Sequence, residues 1–178
     1  MEDPEISIDR ALENYRRLGY SENWINQRLK SIEIRKELTD EWKRVGVQEG
    51  AQFATLTDII TKNWAGLTTK EYKILKGLKK ENLRENMSNT ELILNMLAEA
   101  STKDISNATN PKNLEESKNV AQQGGIVARV ARKELESKTG SKSCFTVKCK
   151  KRIERDNETC VGLINGINYF SWLYIFYP

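Results

Sequence analysis

Histidine is absent from this 178-residue chain, and its three cysteines, Cys144, Cys149 and Cys160, all lie beyond residue 143. Residues 1–140 therefore lack the usual general bases, thiol nucleophiles and transition-metal ligands. Neither a G-x-x-x-x-G-K-[ST] loop nor a G-x-G-x-x-G run occurs, so nucleotide chemistry has no phosphate cradle of those kinds. The opening MEDPEISIDR is acidic and has no apolar run, so no signal peptide is expected and a reducing cytoplasmic setting is. Alternating apolar and polar residues, the mark of a strand, persist nowhere in the first 140 positions. Carboxylate pairs such as Glu33/Glu37 and Glu115/Glu116 remain as magnesium ligands, but alternating charge along a helix reads as a solvated face. The expectation is a non-enzymatic protein with no catalytic residue, cofactor or metal.

What is present falls into two compositional regimes. Residues 141–178 hold six Lys/Arg and three Asp/Glu, a net +3 of the chain's +4, which leaves +1 for residues 1–140. All the cysteines and seven of the fourteen aromatics also lie after residue 140. The division expected is a helical unit over 1–140 and an unrelated tail over 141–178, basic first and then aromatic and apolar.

The unit reads as all-α, a bundle of five or six helices with one long amphipathic member and an irregular C-terminal tail. Residues 7–19 place Ile8, Leu12, Tyr15 and Leu18 on one face, and Gly19 stops them. Ser21 N-caps a long helix over 22–45 whose apolar residues, from Trp24 and Ile25 to Leu38 and Trp42, keep spacings of three and four. Phe53, Leu56, Ile60 and Trp64 mark a third helix. Thr68/Glu71 and Ser88/Glu91 are capping boxes. The first precedes a stripe of Tyr72, Leu75 and Leu78, the second a stripe of Ile93, Met96, Leu97 and Ala100. STKDISNATNPKN, 101–113, reads as a polar connector. A last helix over 112–139 carries Leu114, Ala121, Ala128 and Leu135 at seven-residue spacing. Gly124–Gly125 interrupts it at about 1 kcal/mol per glycine, which a kink or a close helix crossing would explain.

KGLKKENLRENMSNTELILNMLAEAST and VAQQGGIVARVARKELESKTG resemble the C-terminal half of DNA-damage-inducible protein D and its BRO-family prophage antirepressor relatives. The shared features are a G-L-K-K turn (Gly77–Lys80), an M-x-x-T-E-L helix start (Met87–Leu92) and a helix ending in R-K-E-L-E-x-K-T-G (Arg132–Gly140). INQRLKSIEIRKELTDEW is similar to the bridge between that family's halves. The likeness covers roughly residues 7–140 and implies a role in the SOS response to DNA damage or in phage regulation, exercised on DNA or on a recombination or repressor protein, without catalysis. The family's N-terminal BRO domain is largely missing, so this chain looks like a C-terminal portion begun at an internal Met1.

KILKGLKKENLR is the candidate nucleic-acid contact, through Lys76, Lys79, Lys80 and Arg84. Cations around a helix end that turns at Gly77 suit phosphates, although lysines at helix C-termini are also ordinary partners of the helix dipole. A second cluster, Arg129, Arg132 and Lys133, mixes with Glu134 and Glu136 and reads as a solvated face. Trp24, Trp42, Phe53 and Trp64 suit either base stacking or the core, and their helical spacing favours the core. A homodimer paired through the 22–45 helix is a further expectation.

The ending VGLINGINYFSWLYIFYP, 161–178, carries no charge, and three accounts compete for it. As a helix it would rise about 27 Å, close to hydrocarbon thickness, which makes a small tail-anchored membrane protein the alternative reading. It could instead add a strand or helix to the core, or be sequence translated after a frame change near Gly140. The last is favoured, because composition breaks where the resemblance ends, and contact with a membrane is not expected.

Overall fold

The computed structural model describes residues 4–141, with side chains from Arg10 onward. Among them are six α-helices and no strand: α1 Pro4–Arg17, α2 Glu22–Arg44, α3 Ala51–Ala65, α4 Thr69–Leu75, α5 Asn89–Thr109 and α6 Leu114–Thr139. A single 3-10 turn, Arg84–Asn86, lies between α4 and α5. This is the all-α bundle expected. The three accounts of the C-terminal segment (the tail anchor, the added core segment, the frame change) concern residues that lie outside the described ones. No helix among the described residues is long and apolar enough to cross a membrane.

Local chemistry sets most boundaries. Ser21 accepts the Trp24 N–H to start α2, while Thr68/Glu71 and Ser88/Glu91 close both halves of their capping boxes at the starts of α4 and α5. Asn113 caps α6 through the Glu116 N–H. Such caps satisfy backbone donors that a helix start otherwise leaves unpaired.

Packing is organised by α5 and α6. They pack together and are joined by only residues 110–113, which makes them an antiparallel hairpin. α2 lies on the far side of α5, and α3 lies against α6. The glycine pair is where three helices meet. A Cβ on Gly124 would fall 2.7 Å from the Thr102 backbone nitrogen on α5, and one on Gly125 would fall 2.9 Å from the Ile60 carbonyl on α3. Distances below 3 Å leave no room for any side chain, so α6 needs both glycines to touch both neighbours. Of the two explanations offered by sequence, close crossing is the one found. Trp42, Trp64, Leu38, Leu56, Ile60 and Leu92 fill the adjoining core, each at most 1% exposed.

Three expectations are corrected. The polar stretch from Ser101 is not a connector, because α5 runs on to Thr109. Thr102 and Ser106 are buried: the Thr102 hydroxyl donates to the Ala98 carbonyl at 2.7 Å, and Ser106 donates to Glu41 on α2 at 2.7 Å. Second, the α5 seam is rotated from the one expected. Leu92, Met96 and Ala98 are buried beside Asn95 and Glu99, whereas Ile93 and Leu97 are 48% and 36% exposed. The seam contains polar residues, so reading only apolar ones set its angle wrongly. Third, α4 ends at Leu75, which is exposed, and Leu78 reaches the core only after the Gly77 turn. α2 packs on α5 of the same chain, while Ile32, one of the apolar residues of the helix expected to pair two copies, is 43% exposed.

Candidate functional site

The basic turn is built from the end of α4. Gly77, at φ +66°, lets the Leu78 N–H return to the Lys73 carbonyl at 2.9 Å and the Gly77 N–H to Ile74 at 2.9 Å. That left-handed turn sends Lys76 inward and Lys79 and Lys80 outward. Trp24 anchors the far end by donating its indole N–H to the Met87 carbonyl at 2.9 Å.

The four predicted residues are thereby split. Lys76 is 5% exposed; its Nζ lies 2.9 Å from Glu91 Oε2 and 5.5 Å from the centre of the Tyr72 ring. Glu91 also accepts the Tyr72 hydroxyl and the Ser88 N–H. One carboxylate thus caps α5, fastens α4 and neutralises a buried ammonium. Arg84 turns to Glu99, Nη2 to Oε1 at 2.5 Å. Neither Lys76 nor Arg84 presents its charge to solvent as the phosphate reading required. Lys79 and Lys80 are exposed, and among the described residues only their backbone N–H groups are engaged, by the Glu81 carboxylate at 2.7 and 3.0 Å.

Glu99, 1% exposed, is a second buried hub. Arg35 of α2 meets its Oε1 at 3.3 Å, donates to Thr57 of α3 at 2.5 Å and lies 5.0 Å over the Trp42 ring. Burial lowers the Arg35 pKa from its ordinary value, and Arg84 adds to the lowering, while Glu99 opposes it. Two guanidinium groups share one acid here, leaving a positive excess. A third hub, Glu41, takes Arg44 through both oxygens and the Ser106 hydroxyl. Hydrogen bonding from Arg44 holds its carboxyl below the usual range, against burial.

Among the described residues, two clefts open between helices bear on binding. The larger, about 670 Å³ between α3 and α6, is lined by Lys62, Asn63, Lys118, Asn119, Gln122 and Arg129, among others. Lys118 is bridged to Glu115 at 2.6 Å, whereas Lys62 and Arg129 bond to no described residue. Arg129 is therefore separated from its expected companions. Arg132 turns inward instead, donating to the Ala65 carbonyl at 2.8 Å and so tying α6 to the end of α3. The smaller cleft, about 460 Å³, opens between α2, α3 and α4 beside Arg35 and Phe53.

Trp24, Trp42 and Trp64 are buried and serve the core; Phe53 is half-buried and lines the smaller cleft. The acidic pairs considered for magnesium are engaged elsewhere: Glu33 by Lys30, Glu37 by Lys103, Glu115 by Lys118, and Glu116 by the Asn113 side-chain amide and the Lys112 N–H. Among the described residues no group of three or more His, Cys, Asp or Glu could hold a metal ion.

Sequence reasoning missed the α3/α6 groove. Its cations come from positions 62, 118 and 129, and only the helix crossing at Gly125 brings them together, so no short run carries the signal. Compared with known proteins, the chain matches no family model, no curated protein and no solved structure.

Proposed function

We propose that this chain is a non-enzymatic binding module of the damage-inducible and antirepressor kind, and that DNA is what its helical body holds. The resemblance of residues 7–140 supplies the class. The observation that supports the partner is the α3/α6 groove, where Lys62 and Arg129, neither hydrogen-bonded nor ion-paired to a described residue, stand with Lys118, its partner Glu115 and three side-chain amides. Lys, Arg, Asn and Gln are the side chains that bind phosphate oxygens without reading sequence. Lys79 and Lys80 offer a second point of charge, reduced from the four residues of the sequence reading.

The test is fluorescence anisotropy of a labelled duplex across a salt series. Affinity falls steeply with added salt, as counterion release requires. Lys62→Glu/Arg129→Glu weakens binding by about tenfold or more, and Lys79→Glu/Lys80→Glu weakens it less. Binding indifferent to both salt and the groove variant would overturn the reading. A protein partner, a recombination or repressor protein, is the second reading. It is favoured by four outward aliphatic side chains, Ile93 and Leu97 on α5 and Val127 and Val130 on α6. A partner held on apolar surface keeps its affinity as salt rises, whereas DNA is released.

A further inference from the structure

The cleft between α2, α3 and α4 has a volume of about 460 Å³, inside the roughly 300–1,000 Å³ range of small-molecule sites. It shares no lining residue with the α3/α6 groove, so the two stand or fall separately. Its walls are unlike. Phe53 and Ala54 make an apolar wall, and the Phe53 ring is held by Trp42, with ring centres 5.2 Å apart. Arg35, Lys70 and Lys73 supply cations, and Asp58 is the one acid among the described lining residues.

Charge does not cancel in this corner. Arg35 and Arg84 share the single carboxylate of Glu99. With the lining groups added, four cations (Arg35, Arg84, Lys70, Lys73) meet two acids (Asp58, Glu99), an excess of two. Lys70 and Lys73, three residues apart on α4, lie on one side of that helix, and neither ammonium bonds to a described residue. Burial holds Arg35 in place, since its guanidinium is fixed by Glu99, Thr57 and the Trp42 ring. A preformed cationic corner facing an aromatic wall selects for an anion with a flat apolar body.

We propose that this cleft binds a small phosphomonoester carrying an aromatic body, with the phosphate against Lys70, Lys73 and Arg35 and the body on Phe53. A phosphomonoester carries about −1.5 to −2 at neutral pH, which matches the excess of two; a carboxylate leaves half of it uncompensated. Guanidinium and ammonium groups both bind phosphate oxygens strongly.

Isothermal titration of the full chain with phenyl phosphate, inorganic phosphate and phenol separates the contributions. Phenyl phosphate binds about tenfold tighter than inorganic phosphate, and phenol does not bind. Lys70→Gln/Lys73→Gln, which touches side chains outside the core, weakens phenyl phosphate by about tenfold with helicity unchanged. Phe53→Leu brings the two phosphates toward equal affinity. Acidifying from pH 7.5 to 5 weakens binding as the second phosphate proton is taken up near pH 6. Equal affinity of the parent chain for both phosphates, an unchanged affinity in the lysine variant, or no binding of phenyl phosphate at millimolar concentration would each overturn the proposal. A 5′-phosphorylated oligonucleotide that competes with phenyl phosphate, where its unphosphorylated form does not, also supports the site and makes a nucleic-acid end the source of the monoester.

Discussion

Against α2, helix α5 presents Glu99, Lys103 and Ser106, each bonded to a side chain of the other helix. Against α6 it presents Thr102, with only the bare backbone of Gly124 opposite. One seam is held by charge and hydrogen bonds, the other by closeness. The charged seam fixes register through particular partners but carries a desolvation penalty that only complete pairing offsets. The glycine seam gives up about 1 kcal/mol of helix propensity per glycine and recovers it in backbone contact. Two neighbours of one helix are thus selected by different physics, and they respond to different insults.

The largest effect should come from removing an acid from the charged seam. Glu99→Ala strands Arg35 and Arg84, two guanidiniums at 22% side-chain exposure. A loss of about 3–5 kcal/mol in unfolding free energy is expected, measured by urea titration. A loss under 1 kcal/mol would mean that the seam is solvated and the contrast false. Gly124→Ala ranks next. It gains helix propensity, yet its methyl group meets the Thr102 backbone, which cannot swing aside, so a net loss of about 1–3 kcal/mol is expected. A neutral or stabilised variant would break the glycine side of the comparison.

Acid sharpens the contrast with a smaller effect. Glu37 and Glu41, which meet Lys103 and Ser106 of α5, both hold their carboxyls below the ordinary 4.5, chiefly through hydrogen bonds from Lys103 and Arg44 respectively. In the unfolded chain these groups take up protons at higher pH, so acid favours unfolding. Their contribution is complete above pH 4.5 and fades as pH drops through their folded values. Thermal melts between pH 3 and 6 should show this limb. Gly124→Ala should lower the whole curve in parallel, and Glu37→Gln/Glu41→Gln should flatten its acid limb.

The same division explains what could be read from sequence. Caps, glycine stops and the close crossing at Gly124–Gly125 are local or carry a visible penalty, so they announce themselves. The charged seam does not. Thr102 and Ser106 resemble connector residues until Glu41 is seen to receive Ser106. Lys76 resembles its neighbours Lys79 and Lys80, and only the Gly77 turn, with Glu91 fifteen residues away, turns it inward. For the candidate sites the limit is stricter. Lys62 and Arg129, like Arg35 and Lys73, come from different helices, and pairing between distant segments leaves no trace in a single chain's spacing.

Trp24 gives the molecule an optical gauge of its own. Its indole stacks on Tyr20 at 4.1 Å, meets Tyr15 edge-on at 5.4 Å and donates to Met87, whereas Trp42 meets Phe53 and Trp64 meets Tyr72 elsewhere in the same core. In a Trp172→Phe background, detachment of the 84–87 segment would therefore shift the Trp24 emission to the red and leave that of Trp42 and Trp64 behind. A ligand that pulls on the lysine turn would be visible without any added dye.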